Sequence, residues 1–258
     1  MTWQLLGLNA GLVLAMMTIL WVVSVVKRNA SIVDPWWSMI FLLITGHTSW
    51  ATGLTPAKTV VVILVAIWAL RLWLHLLTRN WGHGEDPRYV AFRRQYGPER
   101  YWWVSFFQVF LLQGALALVI SAPLQLLAAA ALPDPVGLWT VLGALVFAVG
   151  LGFEGVADAQ LRAFRRDPAQ RGQVLDSGLW HYSRHPNYFG EAVLWWGFGL
   201  CALAVPYGWV TVFGPALMTY LLVKVSGVAM LDALLKETKP GYVAYVQRTP
   251  AFVPGRPR

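Results

Sequence analysis

The chain has 258 residues, 57% of them hydrophobic and 12% charged, about half the charged share of a soluble domain, which excludes an ordinary water-facing surface. Its net charge of +8 comes from basic clusters set between apolar runs, which argues against nucleic acid and for anionic lipid headgroups or an anionic cofactor. The single cysteine, Cys201, excludes an internal disulfide and a cysteine-based zinc site, and no metal centre is expected.

Crossing the hydrocarbon of a bilayer takes about 20 apolar residues. Seven runs meet or approach that length: 5–26, 32–50, 59–77, 104–127, 136–156, 188–204 and 209–230. The expected fold class is therefore all-α, a polytopic transmembrane bundle of about seven helices with long cytoplasmic loops, forming one membrane domain over 1–258. Fifteen Trp and nine Tyr suit the two membrane interfaces. The first run is followed at once by Lys27-Arg28, which reads as a retained helix with its C-terminal end in the cytoplasm. With that orientation 17 of the 20 Lys and Arg fall on one side: Lys27 and Arg28, and five each in the loops 79–103 and 158–187 and in the C-terminal tail. The expected location is a bacterial inner membrane, with the N-terminus outside and the C-terminus in the cytoplasm. The outer half of the bundle reads as almost purely apolar, and His47 as an interfacial residue.

Ionisable residues inside apolar runs are costly and mark functional sites. In chain order these are Asp34, next to Pro35-Trp36-Trp37; Arg71, with His75 one turn beyond; Glu191; and Lys224. Arg71 and Lys224 lie about 10 Å from the cytoplasmic ends of their runs. The segment from Asp158 to Glu191 carries most of the remaining chemistry. Asp158, Arg162 and Arg165 or Arg166 recur at about one helical turn and share a face, where two or three guanidiniums suit a phosphate or a lipid headgroup. Tyr182-Ser183-Arg184-His185-Pro186-Asn187-Tyr188 then opens an apolar helix, with Pro186 in its first turn and free N–H groups that favour an anion.

Gly178-Leu179-Trp180, followed by Tyr182 and Arg184-His185-Pro186-Asn187-Tyr188-Phe189-Gly190-Glu191, resembles the signature of the membrane steroid 5-alpha-reductase family in its bacterial branch. Its superfamily includes the sterol C14- and C7-reductases and the isoprenylcysteine carboxyl methyltransferases. The resemblance implies NADPH as cofactor, with Arg79, Asp158, Arg165, Asn187, Glu191 and Lys224 at matching positions; Arg162 and Arg166 of the same cluster and Tyr182, Arg184, His185 and Tyr188 of the motif complete the expected cofactor site. It places Asp34 where steroid reductases carry the Glu of a catalytic Gln-Glu pair, with Arg71 at the family's spacing. The chain departs from the pattern where that Gln is Val33, where the catalytic Tyr of the third helix is Trp68, and where a His and a Tyr of the last helix are Val228 and Asp232.

Three functions are compatible with these residues. The first is NADPH-dependent reduction of a carbon–carbon double bond conjugated to a carbonyl in a lipophilic substrate, with Asp34 as acid and Arg71 orienting it or holding the cofactor. The second is methyl transfer from S-adenosylmethionine, whose enzymes share the Arg-His-Pro-x-Tyr core. The third is a membrane binding protein that keeps the fold without activity. The expected partners are a lipophilic small molecule and membrane lipids.

Overall fold

The computed structural model describes every residue except Met1, 131–135, Ser226 and Arg258, and the side chains of Ala229, Met230 and Leu234. All regular structure among the described residues is helical. The helices are α1 (Trp3–Lys27), α2 (Val33–Thr52), α3 (Pro56–Asn80), α4 (Pro87–Tyr96), α5 (Pro98–Ser105), α6 (Leu112–Ile120), α7 (Ala122–Ala129), α8 (Leu138–Arg166), α9 (Leu179–Tyr182), α10 (Pro186–Ala202), α11 (Phe213–Tyr220), α12 (Val228–Thr238) and α13 (Tyr242–Arg248). A π-helical turn, Phe106–Leu111, joins α5 to α6.

Among the described residues, five segments are long and apolar enough to cross a membrane: Trp3–Lys27, Pro56–Asn80, Pro98–Ile120, Leu138–Arg166 and Gly208–Val225. The runs expected at 32–50 and 188–204 are helical as α2 and α10 but lack that combination of length and apolarity. Helix α10 has 17 residues, about 25 Å of rise against about 30 Å of hydrocarbon. The reason for α2 is its place in the packing. Val33, Ile40, Phe41 and Ile44 are fully buried, so this helix faces protein and tolerates polar residues that find partners. Ser38 donates to the Ala69 carbonyl at 3.0 Å, and Thr45 to the Phe41 carbonyl at 2.7 Å.

The chain divides into two compact units, 1–137 with 204–211, and 138–203 with 212–258. In the first, α1 turns one stripe inward, Asn9, Val13, Met17, Leu20 and Ser24, at spacings of three and four residues. Asn9 anchors a polar cluster inside this unit. Its amide donates to Thr48 Oγ1 (2.9 Å) and Gln125 Oε1 (3.2 Å), and its Oδ1 meets His47 Nδ1 at 2.8 Å. The apolar reading of that half of the bundle thus misses a cluster, because its members come from three separate apolar runs: Asn9, the pair His47 and Thr48, and Gln125. His47 belongs to this cluster as well. Lys58, also buried, donates to Thr52 Oγ1 at 2.8 Å and the Gly53 carbonyl at 3.1 Å, where it meets the negative end of α2.

In the second unit α8 and α10 meet backbone to backbone. A Cβ on Gly150 would fall 2.6 Å from the Gly190 carbonyl oxygen, and one on Gly197 would fall 2.7 Å from that of Gly143. Seven-residue spacing of glycine on both helices makes this close approach possible. It fixes the register of the polar residues one turn further along.

Candidate functional site

In the first unit the site is built around Asp34, in the first turn of α2. Its Oδ2 accepts from Arg88 Nη2 at 2.9 Å, and its Oδ1 accepts from the Tyr89 hydroxyl at 2.6 Å. Both partners come from α4, which starts where it does because Pro87 fits a first turn and Asp86 caps it, accepting from the Arg88 backbone N–H at 3.0 Å. The segment ahead of α4 is tied to the corner between α1 and α2. Glu85 accepts from the Ala30 backbone N–H at 2.7 Å and from Arg93 through both oxygens, at 2.8 and 2.9 Å, while the Asp86 N–H donates to Ser31 Oγ at 3.2 Å. Gln113 Nε2, two residues past the π-helical turn, donates to the Tyr89 oxygen at 3.3 Å.

The electrostatics follow from burial and pairing. Burial pushes the Tyr89 phenol up and the Asp34 charge beside it adds to this, so it stays protonated well above the usual value of 10.0. For Arg88, burial disfavours the cation, but the bonds to Asp86 and Asp34 outweigh it and hold the guanidinium charged. Burial pushes Asp86 up, yet hydrogen bonds from Arg88 bring it below the ordinary carboxylate value. Next to this cluster a hollow of about 180 Å³ is lined by Asn29, Ser31, Pro35, Trp36, Asn80 and Trp81, among others.

Of the residues singled out in the sequence, Arg71 is half-buried on α3, and Arg79 is exposed with its Nε donating to Asn80 at 3.0 Å. Trp68 is fully buried, its ring 5.6 Å from that of Phe41. Sequence reasoning missed Arg88 and Tyr89, which sit in a loop rich in similar residues.

In the second unit α8 and α10 bring Asp158 and Asn187 together, with Asn187 Nδ2 donating to Asp158 Oδ1 at 3.1 Å. Glu191 is buried one turn along α10 from Asn187, and Glu154 one turn before Asp158 on α8. Glu154 was hidden in the sequence within the apolar run 136–156. Arg162, Arg165 and Arg166 are exposed on the last turns of the same α8. Lys239, which donates to the Gln173 carbonyl at 2.8 Å, is held below its ordinary value by burial and by the charge of Arg165. Lys224 is exposed on a π-helical turn, Leu221–Val225.

The motif ahead of α10 is clasped by the end of the chain. The Arg184 guanidinium donates to Asp232 Oδ2 at 2.6 Å and to the carbonyls of Val246 and Thr249 at 2.9 and 3.2 Å. His185 Nε2 lies 3.0 Å from Asp232 Oδ1, which also accepts from the Tyr242 hydroxyl at 2.5 Å. The His185 ring stacks on Tyr188, with centroids 5.6 Å apart. Tyr182 is exposed, but its carbonyl accepts from the Gly255 N–H at 2.9 Å, and the Pro250 carbonyl accepts from the Arg184 N–H at the same distance. Arg184 and His185 are thus buried against α12, α13 and the tail. Asp232, noted in the sequence as a departure from the family pattern, is the carboxylate that holds them both.

The profile of a family described as "Protein of unknown function (DUF1295)" matches residues 20–249. A protein described as "Probable O-methyltransferase ustE", from Ustilaginoidea virens, is 33% identical over 66 residues, 26% of this chain and 23% of that protein. The chain therefore spans under a quarter of the length of that curated relative. No solved structure matches the chain.

Proposed function

Because the chain belongs to the DUF1295 family, which is related to steroid 5-alpha-reductase-like membrane proteins, we propose that it is a membrane reductase using NADPH on a lipophilic enone. The observation that carries this reading is the composition of α8. A buried Asp158 bonded to Asn187 is followed, over the next two turns, by three exposed guanidiniums at Arg162, Arg165 and Arg166. Planar, permanently charged donors on one helix end fit the phosphates of a dinucleotide, and an acid–amide pair beside them fits sugar or base hydroxyl and amide groups. In this reading Tyr182, Asn187, Tyr188, Glu191 and Lys224 complete the cofactor contacts of the second unit, while Arg184 and His185 shape the site from behind.

NADPH, when bound, supplies a hydride to the β carbon of the double bond. The protein's task is then to meet the negative charge that grows on the carbonyl oxygen, a role this reading gives to Asp34 with Arg71. The substrate arrives from the bilayer, and the charged loops face the cytoplasm of a bacterial cell.

Direct titration of purified protein with NADPH tests this. Micromolar binding, weakened at least tenfold when Arg162, Arg165 and Arg166 are all changed to Ala and lost progressively with salt, is the expected result. A second reading is favoured by the similarity to a protein described as a probable O-methyltransferase. The buried carboxylates Glu154, Asp158 and Glu191 suit the cationic sulfonium and amine of S-adenosylmethionine. Binding of S-adenosylmethionine but not NADPH, insensitive to the triple Ala change, would replace the first reading. Binding of neither would mark a non-catalytic membrane protein.

A further inference from the structure

We infer that the hollow of about 180 Å³ in the first unit holds the phosphate of an anionic phospholipid, whose acyl chain lies along α3. Asn29 and Ser31 line it from the corner after α1, Pro35 and Trp36 from the start of α2, and Asn80 and Trp81 from the end of α3. Helices α1 and α3 are both long and apolar enough to cross a membrane, and they end at Lys27 and Asn80. The hollow therefore lies where hydrocarbon gives way to headgroups, a depth that the two Trp rings favour.

The hydrogen-bonding capacity left in this lining is mostly of one kind. Asn29 Oδ1 accepts from the Ser31 backbone N–H at 3.0 Å and from its hydroxyl, and Asn80 Oδ1 accepts from Arg79 Nε at 3.0 Å. Those bonds fix how the two amides are turned, and each NH₂ keeps two donors with no partner among the described residues. The indole N–H groups of Trp36 and Trp81 likewise donate to nothing among the described residues. The Ser31 hydroxyl is used in both senses, donating to Asn29 and accepting from the Asp86 N–H. Spare donors call for a ligand rich in acceptors, as a phosphate is.

Charge favours the same ligand. No carboxylate lines the hollow, and Glu85 and Asp86, next along the chain, are already bound to Arg93 at 2.8 Å and to Arg88 at 2.9 Å. Arg28 and Arg79 each precede a lining asparagine, and both are exposed with no ion pair among the described residues. The ammonium of a zwitterionic headgroup finds no counter-charge here. Size and continuity then separate a lipid from a soluble phosphate compound. A volume of about 180 Å³ is below the ~300–1,000 Å³ of sites that enclose a whole small molecule. Leu77, which lines the hollow, ends a stripe of Ile63, Ile67, Leu70 and Leu74, exposed along α3 at spacings of four and three residues. The stripe rises about 21 Å, more than the roughly 15 Å of hydrocarbon in one leaflet, so a chain can follow it away from a phosphate seated at its end.

Native mass spectrometry of the full chain tests this, in dodecyl maltoside micelles holding equal amounts of dioleoyl phosphatidylglycerol, phosphatidylethanolamine and phosphatidylcholine. Phosphatidylglycerol should be retained about tenfold or more over either zwitterionic lipid, and millimolar inorganic phosphate or glycerol 3-phosphate should not displace it. Asn29→Asp combined with Asn80→Asp keeps the acceptors that bind Ser31 and Arg79 but replaces the spare donors with negative oxygens, and should abolish the preference. Should that double change fold poorly, Trp81→Ala, at a position 77% exposed, should lower retention about threefold or more. Equal retention of the three lipids overturns the inference. Displacement by phosphate or glycerol 3-phosphate overturns it in favour of a soluble ligand. A preference that survives whichever of these changes folds overturns it too, since the headgroup is then held elsewhere, such as at the exposed guanidiniums of α8.

Discussion

Arg184 and Asp232, 48 positions apart in sequence, form a buried ion pair at 2.6 Å that joins the start of α10 to α12, while the other arm of the guanidinium holds two carbonyls at the end of α13. Removing one partner of such a pair leaves a buried charge without compensation. Arg184→Ala should therefore destabilise the protein by roughly 3–5 kcal/mol. Arg184→Lys keeps the charge but not the planar fork, and should fall between the two. Thermal unfolding in detergent of the two variants and of the double change Arg184→Met with Asp232→Leu checks this, since removing both charges should recover most of the loss.

The same cluster sets an acid limb. Burial pushes the Asp232 carboxyl up, and hydrogen bonds from His185 and Tyr242 with the charges beside it more than offset this, leaving it at about 2. A folded value below the unfolded one, about 3.9, means that its stabilisation is complete above that pH and is lost as pH falls through about 2. Tyr242 works in the opposite sense. Burial and the Asp232 carboxylate hold its phenol above the ordinary 10.0, so that stability declines as pH rises past about 10. Unfolding measured from pH 2 to 11 should show both limbs, and Asp232→Asn should flatten the acid one.

The glycine seam gives a prediction with an internal control. Gly190→Ala puts a methyl 2.6 Å from the Gly150 carbonyl oxygen, a backbone atom that moves only if the helices part, and should cost about 1–3 kcal/mol. Gly152→Ala, on the same α8 with nothing within 4 Å of the added carbon, should be neutral or slightly stabilising through helix propensity. Melting temperatures of the pair separate packing from propensity.

Asn9→Ala tests the polar cluster of the first unit. The change strands the partners of three hydrogen bonds, His47, Thr48 and Gln125, and should cost about 1–2 kcal/mol, while Asn9→Asp should cost more by burying a charge. Stability to chemical unfolding in mixed micelles reads the order of the two.

Sequence length and apolarity locate α1 and α3 and overlap the other three spans, because lipid-facing helices must be apolar on most of their circumference; the bounds move from 104–127 to 98–120, from 136–156 to 138–166 and from 209–230 to 208–225. Helix α2 is less distinct for the converse reason: its neighbours are protein, so hydropathy underestimates it. Asp158 and Asn187 stand out in the sequence as polar residues at the ends of apolar runs, but the contact between them needs the packing of α8 on α10. Tyr89 does not stand out, because nothing in the spacing of loop 79–103 distinguishes one Arg-Tyr pair from the others until α4 folds back on Asp34. Asp232 was legible only as a missing Tyr, and its partnership with Arg184 depends on how α12 and α13 return to the motif. Glu154 was masked by averaging over a hydrophobic window.

Since α8 and α10 touch through main-chain atoms at Gly150 and Gly190, the gap between them is fixed by the polypeptide itself and owes nothing to the size of neighbouring side chains. Bulk on the outer sides of these two helices, at the exposed Val149 or Trp196 for example, is free to drift with lipid composition without disturbing how Asp158 meets Asn187. Such a scaffold lets selection change the lipid-facing surface while the polar pair it carries keeps its spacing.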